Sequence, residues 1–275
     1  MVFVLEITRY SIKNPQLEPW VKFIWYLETK SEVSISHKLL PTDSIDIILN
    51  MSDRIEYQIG DNRLVASAFH FNGMRNKYGF IFQKGKLKVF GISFYPFGLY
   101  PFLHLPLHHY NNQIVDLQIA SKPLSENLKS VLDSNYTISE MVCAIERVLS
   151  STIMMNEQDI IILPILQNFY NNRQNTSINS FCIKNNISSK TLERACLKYT
   201  GYTPKTLQRI DRFQNVSNRL IYSQQAGKLA ELAYNNDYYD QAHFIKEFRC
   251  FSGASPSRFM KERITVKENT RYTFR

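Results

Sequence analysis

Residues 229–263 read LAELAYNNDYYDQAHFIKEFRCFSGASPSRFMKER, and this stretch decides the fold of the C-terminal half. Asp240 can cap a helix, and three phenylalanines at intervals of four and three residues predict its buried face: Phe244, Phe248 and Phe251. Gly253 ends that helix, and Ser255 followed by Pro256 begins another. With an apolar helix before Asp240, the pattern predicts a helix-turn-helix whose second helix is presented outward.

The same pattern occurs a first time 52 residues earlier, since Pro204 corresponds to Pro256. Six positions carry the earlier copy: Ser188, Leu192, Tyr199, Gly201, Thr203 and Pro204. Apolar residues at matching spacing predict the first helix of each unit: Ile178, Phe181 and Cys182 in one, and Leu229, Leu232 and Ala233 in the other. The C-terminal half is therefore predicted to contain the unit twice.

Residues 204–222 join the two units. They contain no internal proline or glycine, and their apolar residues lie near helical spacing: Leu207, Ile210, Phe213 and Val216. Such a helix spans roughly 28 Å, comparable with the ~34 Å of one DNA turn. Both recognition helices are therefore expected to reach successive major-groove segments on one face of a duplex.

The paired units, each ending in GxxPxxxx, and the run DQAHFIKEFRCFSGASPSRF resemble the DNA-binding domain of the AraC/XylS family of bacterial transcription regulators over residues 157–263. The resemblance implies double-stranded DNA and RNA polymerase as partners. Family members usually have glycine in each inter-helix turn, where Asn186 and Asp237 stand here; both residue types tolerate a left-handed backbone. Cys196 replaces a common phenylalanine, which lowers the expected tightness of the first unit's core.

The first predicted recognition helix carries charge opposite its apolar face. Lys190 and Arg194 lie there with Glu193 beside them, and the resemblance implies base contacts at these positions. Arginine can pair with guanine through two hydrogen bonds, lysine reaches guanine or phosphate, and glutamate accepts from cytosine. A charged helix face is ordinarily only solvated, but the surrounding motif favours DNA contact.

The second recognition helix contributes six candidate DNA-binding residues: Gln241, Ala242, His243, Ile245, Lys246 and Arg249. Ala242 and Ile245 suit contact with a thymine methyl group, and Gln241 suits adenine or the DNA backbone. His243 has two open interpretations, a phosphate contact and a structural histidine bonded to neighbouring backbone.

The formal net charge of +9 is concentrated in the C-terminal half. Residues 1–156 hold 15 Lys and Arg against 14 Asp and Glu, whereas residues 157–275 hold 18 against 10, so the two parts carry +1 and +8. A localised basic surface is what phosphate neutralisation and counterion release require. Together with the repeated motif, the charge favours a nucleic-acid partner.

A length of 275 residues suits two domains, and a hydrophobic content of 44% excludes a disordered chain. The first residues lack a secretory leader pattern and no apolar run reaches membrane length, so a cytoplasmic protein without a membrane partner is expected. The cysteines form no CxxC pair and are predicted to act as small apolar residues rather than as a thiol switch: Cys143, Cys182, Cys196 and Cys250.

Residues 1–155 are predicted to form a β-barrel or sandwich after a lead-in of about 20 residues. Six runs predict strands: WVKFIWYLE, SIDIILNM, RIEYQI, LVASAFHF, YGFIFQ and KVFGISFY. Glycines at 60, 73 and 85 provide the turns between them. Asp46 and Asn50 alternate with apolar residues, which predicts a half-buried strand.

Two helices are predicted next, at PLSENLKSVLDS and TISEMVCAIERVLSS, and the second has one apolar stripe: Ile138, Met141, Val142, Ile145, Val148 and Leu149. The stripe either packs on its own barrel, the preferred interpretation, or faces a partner subunit in a homodimer. A further helix at residues 156–172 is predicted to open the DNA-binding domain, with Pro164 either kinking it or lying near its start. The basic tail, residues 264–275, is expected to be mobile or to contact phosphate.

No metal, cofactor or catalytic site is predicted. His104, His108 and His109 have helical spacing, but Pro106 interrupts it and no carboxylate completes a ligand set. No phosphate loop or nucleophile elbow is present, so an enzyme is not expected. Six strand aromatics could line an effector pocket or fill the core, and no ligand residue is assigned: Phe69, Phe71, Phe80, Phe82, Phe90 and Phe94.

The N-terminal runs also resemble, more loosely, the sensor-like β domains attached to some AraC-type regulators, which are related in layout to cupins. The two resemblances imply an α+β protein with a cupin-like β domain and flanking helices in residues 1–155 and an all-α double helix-turn-helix domain in residues 156–263. The leading hypothesis is a transcription regulator, activator or repressor, controlled by a small-molecule effector or by dimerisation. Two alternatives stay open: a cupin-like small-molecule- or metal-binding protein whose basic helices bind another partner, and a constitutive regulator whose barrel only dimerises.

Overall fold

The computed structural model describes residues 5–174, 176–222, 229–236, 238–261 and 270–274. Strands dominate the chain up to residue 116 and helices dominate the remainder, so the predicted α+β class is confirmed. Five of the six predicted strand runs appear as single strands, and LVASAFHF contributes to two short strands.

The described strands are β1 (Leu5–Tyr10), β2 (Val21–Glu28), β3 (Val33–Leu39), β4 (Ile45–Asn50), β5 (Ile55–Ile59), β6 (Asn62–Val65), β7 (Phe69–Asn72), β8 (Gly79–Gly85), β9 (Lys88–Phe94), β10 (Ile114–Asp116) and β11 (Thr270–Phe274). They form a larger sheet in the order β10-β7-β4-β9-β2-β1-β11 and a smaller one in the order β3-β8-β5-β6. Ile48 and Val89 of the larger sheet pack with Ile55 and Tyr57 of the smaller one. The two sheets therefore form the predicted sandwich.

Strand β4 lies between β7 and β9 and is covered on both faces. Three of its residues pack into the main core with the helices: Ile45, Ile47 and Leu49. Ile48 faces the second sheet, Asn50 is buried, and Asp46 accepts a hydrogen bond from Ser93. The prediction of a half-buried strand was therefore wrong, because a central strand between a second sheet and helices has no solvent face.

The described helices are α1 (Tyr100–Leu103), α2 (Leu117–Ala120), α3 (Lys122–Leu132), α4 (Ile138–Thr152), α5 (Glu157–Asn172), α6 (Ile178–Lys184), α7 (Ser189–Thr200), α8 (Pro204–Tyr222), α9 (Leu229–Tyr234) and α10 (Gln241–Ser252). A 3-10 turn spans Leu107–Tyr110, and residues 256–261 are also helical. Pro164 lies inside α5 and not near its start. None of the helices in the described ranges has both the length and the apolar composition needed to span a membrane.

Both ends of the described chain differ from expectation. The predicted lead-in contains strand β1, which pairs with β2 in antiparallel register. Residues 270–274 form β11, which pairs with β1 in parallel register from Leu5–Thr270 to Arg9–Phe274. The prediction of a mobile tail was therefore wrong for residues 270–274, because backbone hydrogen bonding to a sheet edge orders a strand that has no amphipathic pattern. Residues 264–269 lie outside the described residues.

The apolar stripe of α4 packs into the chain's own core. Four of its six residues are buried there and the other two are partly buried against it: Met141, Val142, Ile145 and Leu149, with Ile138 and Val148. The boundary predicted near residue 155 falls between the end of α4 at Thr152 and the start of α5 at Glu157. Buried side chains from both sides of this boundary belong to one continuous cluster, so the strand-rich and helical parts pack together.

Candidate nucleic-acid interface

The first helix-turn-helix unit consists of α6 and α7. The Ser188 side chain caps α7 by accepting a hydrogen bond from the Thr191 amide at 3.0 Å. Asn186, in the turn before it, has a φ of 50°, the left-handed conformation expected at this position. Gly201 ends α7 with a φ of 83°. The turn is thus formed without the usual glycine.

The buried face of α7 is the predicted one: Leu192, Cys196 and Tyr199. Cys196 is fully buried, and burial raises the pKa of its thiol, so it packs as a small apolar side chain. Tyr199 donates to Asp159 of α5 at 2.5 Å. The first unit is therefore joined to α5 by a buried polar contact as well as by apolar packing.

The three candidate DNA-binding residues of α7 are exposed to solvent: Lys190, Glu193 and Arg194. They occupy the N-terminal half of the helix, which is where recognition helices meet base edges. Arg194 also borders a cleft of 410 Å³ between α5 and α7, together with Gln158 and Lys198. This end of α7 is free to face a duplex.

The C-terminal end of α7, by contrast, packs against the strand-rich part. The rings of Tyr199 and Tyr100 meet edge to face with centroids 4.4 Å apart. The ammonium group of Lys198 lies 5.0 Å from the centroid of the Tyr100 ring. Asn111 donates its side-chain amide to the carbonyl oxygen of Gly201. The first recognition helix is therefore held at one end and exposed at the other.

The second unit repeats this construction with α9 and α10. Asp240 caps α10 by accepting from the His243 amide at 2.7 Å, and Gly253 ends the helix with a φ of 72°. The three predicted core residues are buried: Phe244, Phe248 and Phe251. Ser255 accepts from the amide of Arg258, in agreement with its predicted role as the next cap. Asp237, the expected turn residue, lies outside the described residues.

Five of the six candidates on α10 are exposed: Gln241, Ala242, His243, Lys246 and Arg249. Ile245 is half-buried and packs against the main core. The Nε2 atom of His243 lies 4.0 Å from Oε2 of Glu247, and the His243 ring meets that of Tyr238. His243 thus has contacts within its own unit and remains accessible from outside.

Helix α8 connects the units over 19 residues, and its predicted core residues are buried: Leu207, Ile210, Phe213 and Val216. Glu247 of α10 is buried and joins α8 through Arg209, whose Nε lies 2.7 Å from the carboxylate. Arg212 lies 3.5 Å from the other carboxylate oxygen. This contact was not predicted from the sequence. The signal was a carboxylate within the phenylalanine stripe, where charge is disfavoured unless it is paired.

A second polar cluster joins the two parts of the chain at Asp43, just before β4. Its carboxylate accepts from Lys22 at 2.9 Å and from Arg173 at 3.0 Å, and the Tyr170 hydroxyl donates to it. Arg173 also pairs with Asp211 of α8. Burial alone would raise the pKa of Asp43, but Lys22, Tyr170 and Arg173 outweigh it and lower that pKa. The five groups come from four separate segments of the chain, so no local sequence pattern predicts the cluster.

The histidine and aromatic residues have structural positions. His104 follows α1 with a φ of 52°, whereas His108 and His109 lie on the 3-10 turn. Within the described ranges, no three histidine, cysteine or acidic side chains converge to hold a metal ion. Three of the six strand aromatics are fully buried in the main core: Phe71, Phe90 and Phe94. Phe80 and Phe82 stack on each other on the smaller sheet, and Phe69 is partly buried.

Two family models match the chain. Residues 181–262 match a family described as a helix-turn-helix domain. Residues 14–116 match a family described as a domain of unknown function. The first match covers both recognition helices and α8. The second covers β2 to β10.

Among solved structures, the chain is similar to ToxT from Vibrio cholerae at 1.65 Å resolution, with 12% identity, a TM-score of 0.44, and coverage of 84% of this chain and 98% of that one. The unsaturated fatty acid bound wild-type ToxT of V. cholerae strain SCE256 gives 12% identity, a TM-score of 0.42, and coverage of 85% and 96%. The AraC-like transcriptional activator CuxR gives 15% identity, a TM-score of 0.33, and coverage of 70% and 76%. No curated protein matches the chain.

Proposed function

We propose that the protein is a sequence-specific DNA-binding transcription regulator of the AraC type, since residues 181–262 match a helix-turn-helix family. Helices α7 and α10 enter two successive major-groove segments, and the strand-rich part controls them through an effector or through dimerisation. One observation carries the proposal. The two helices are built alike, each with a capping side chain, a glycine in the left-handed conformation at its end, a buried apolar face and an exposed face rich in cations.

At α7 the proposed contacts are polar. Arg194 is exposed and carries five N–H donors in a planar group, which suits guanine O6 and N7. Lys190, one turn earlier, reaches guanine or phosphate, and Glu193 accepts from cytosine N4. The DNA segment contacted by α7 is therefore expected to favour G·C pairs.

At α10 the proposed contacts are mixed. Ala242 and the half-buried Ile245 present apolar surface that suits thymine methyl groups, and Gln241 suits adenine. Lys246 and Arg249 lie exposed on the same side and suit phosphate oxygens. His243 donates to phosphate when it is not engaged with Glu247. The DNA segment contacted by α10 is expected to favour A·T pairs.

The length of the connecting helix α8 supports binding of both halves of the DNA site by one chain. Its 19 residues correspond to roughly 28 Å, somewhat less than the ~34 Å of a DNA turn. The contact of Glu247 with Arg209 and Arg212 fixes α10 on α8, so the spacing of the two recognition helices does not depend on apolar packing alone. We therefore expect a bipartite site with a fixed spacing.

The test is selection of bound sequences from a random duplex library with the full chain. We expect two conserved segments whose centres lie about one helical turn apart, with affinity that falls steeply as salt rises. Arg194→Ala should remove preference in one segment and Lys246→Ala should weaken contact at the other. Recovery of a single short segment, or of no enriched sequence, would overturn the proposal.

A further inference from the structure

The strand-rich part contains a buried cation, two of whose side-chain nitrogens have no acceptor among the described residues. Arg75 lies in the loop 73–78 between β7 and β8 and is 7% exposed. Its Nε and Nη1 atoms are buried and have no hydrogen-bond partner among the described residues. Burying a guanidinium ion without acceptors is strongly unfavourable, and arginine stays charged in proteins. A position of this kind indicates a partner that supplies acceptor oxygens.

The groups around Arg75 define what that partner must offer. Asp46 of β4 lies directly opposite Asn72 in the antiparallel pairing of β4 with β7, and its carboxylate accepts a hydrogen bond from Ser93. Its negative charge also favours the charged form of Arg75. Asn72, the last residue of β7, is 8% exposed, and no donor among the residues that the structure describes reaches its buried Oδ1 atom. Tyr57 also lies close to Arg75 and packs on the sandwich interior. Within the described part of the chain, two Arg75 nitrogens thus lack acceptors and the Asn72 Oδ1 atom lacks a donor.

We propose that Arg75, Asp46 and Asn72 form a binding site for a small monocarboxylate that also carries a hydrogen-bond donor, as a hydroxy acid or an amino acid does. The ligand carboxylate accepts from the N–H groups of Arg75, and its hydroxyl or ammonium group donates to Asp46 and to Asn72 Oδ1. A dianion such as phosphate fits poorly, because one guanidinium faces it and the Asp46 carboxylate lies nearby.

The loop that carries Arg75 also contacts the end of each recognition helix. Its Met74 carbonyl oxygen accepts from the Tyr202 hydroxyl at 3.2 Å, one residue beyond the Gly201 cap of α7. Its Tyr78 ring lies so close to Gly253, the cap of α10, that a Cβ added there would be 2.5 Å from the ring. One short loop therefore contacts both units.

A neighbouring segment reinforces this connection. The amide of Gly73 donates to Gln113 and the amide of Asn112 donates to Met74, at 2.9 and 3.0 Å. Asn111 of the same segment donates to Gly201. A carboxylate that draws Arg75 toward itself thus acts on a loop hydrogen-bonded to the end of α7 and packed on the end of α10. Ligand binding at the site is therefore coupled to the position of the recognition helices. This coupling rests on the proposed DNA-binding function.

The site itself is tested without DNA, by thermal unfolding of the full chain at constant ionic strength with four probes: lactate, alanine, acetate and inorganic phosphate. We expect Tm to rise with lactate or alanine concentration, less with acetate, and not with phosphate. Arg75→Met should abolish the rise. Lys77→Met is the matched control, since Lys77 is an exposed cation in the same loop, and it should keep the rise. No rise with lactate or alanine, an equal rise in both variants, or a rise with phosphate alone would overturn the site.

If Arg75→Met does not fold, Arg75→Lys replaces it, since lysine keeps the charge but loses the planar donor group. In that variant, the lactate concentration that gives half of the maximal rise in Tm should increase at least about thirtyfold. An unchanged midpoint would overturn the role of Arg75. The coupling is read from amide hydrogen exchange of segments 189–202 and 241–254 with and without lactate. We expect exchange to change in both segments of the wild type. A change confined to residues 73–78 would overturn the coupling while leaving the DNA-binding proposal intact.

Discussion

The hydroxyl of Tyr202 donates a hydrogen bond to the carbonyl oxygen of Met74, which lies 3.2 Å away in the loop after β7. Tyr202 follows the C-terminal cap of α7 and is 7% exposed, so the contact is shielded from water. It connects the corner between α7 and α8 to the strand-rich part. A shift of that loop therefore reaches the first recognition helix through a direct contact.

The caps of the two recognition helices provide the first prediction. Gly201 and Gly253 have left-handed backbones, and an added Cβ would meet Asn111 at 2.2 Å and Tyr78 at 2.5 Å. Gly60 has the same backbone conformation, with φ of 61°, but nothing within 4 Å. Alanine at any of the three should cost about 1–2 kcal/mol from backbone strain alone. Gly201→Ala and Gly253→Ala should cost more than Gly60→Ala in urea unfolding, because they also displace the strand-rich part. Equal costs for all three would contradict these contacts.

A second prediction concerns the buried carboxylate of α10. Glu247→Gln should lower the free energy of unfolding by about 1–3 kcal/mol, since it removes charge-assisted hydrogen bonds while Arg209 and Arg212 can still reach water. Glu231→Gln on α9 is the control, because Glu231 is exposed, and it should change stability by less than about 0.5 kcal/mol. Chemical denaturation of both variants measures the difference. A neutral Glu247→Gln would show that α10 is held by its apolar face alone.

The pH dependence of stability provides a third prediction, through His70 of β7. Burial lowers the pKa of His70 from 6.5 to about 4, although a hydrogen bond to the Ser67 carbonyl and the charge of Asp116 oppose the shift. Its Nδ1 lies 2.8 Å from that carbonyl oxygen and so carries the proton, and Nε2 accepts from the Tyr57 hydroxyl at 3.0 Å. The folded state therefore holds neutral His70.

Between pH 6.5 and pH 4, His70 is protonated in the unfolded chain but neutral in the folded chain. The free energy of unfolding therefore decreases as the pH falls. From pH 7 to pH 4.5 this residue alone should remove about 2–3 kcal/mol. His70→Gln should flatten that part of the profile, whereas the exposed control His109→Gln should not. A His70→Gln profile parallel to the wild type would show that other groups cause the acid sensitivity.

The fourth prediction concerns DNA. Arg194→Ala should weaken binding to the selected site by about 1–3 kcal/mol and relax preference at one base position. Arg147→Ala is the control, because Arg147 is an exposed cation on α4 away from both helix-turn-helix units, and its loss should leave affinity within twofold or so. Competition binding against single-base variants of the site measures both. An equal loss on every sequence would identify Arg194 as a phosphate contact instead.

The sequence determined the helical part in detail. Capping residues at 188 and 240, glycines at 201 and 253, and the apolar spacing between them are local signals, because each acts within one or two helical turns of its own position. The bounds of α8 followed for the same reason. Exposure of the candidate DNA-binding residues followed from helical periodicity.

Only the tertiary structure decided the rest. Asn50 of β4 is buried and Asp46 is only partly exposed because a second sheet and helices cover the strand. The alternation of residues along one strand carries no information about either covering layer. Pairing of β11 with β1 joins segments more than 250 residues apart, so a local pattern could not show it. The contacts of the loop around Arg75 are also decided only by the tertiary structure. Its contacts with Tyr202 and Gly253 exist because the strand-rich and helical parts pack together, and the chemistry of a site built from distant segments is set by that packing.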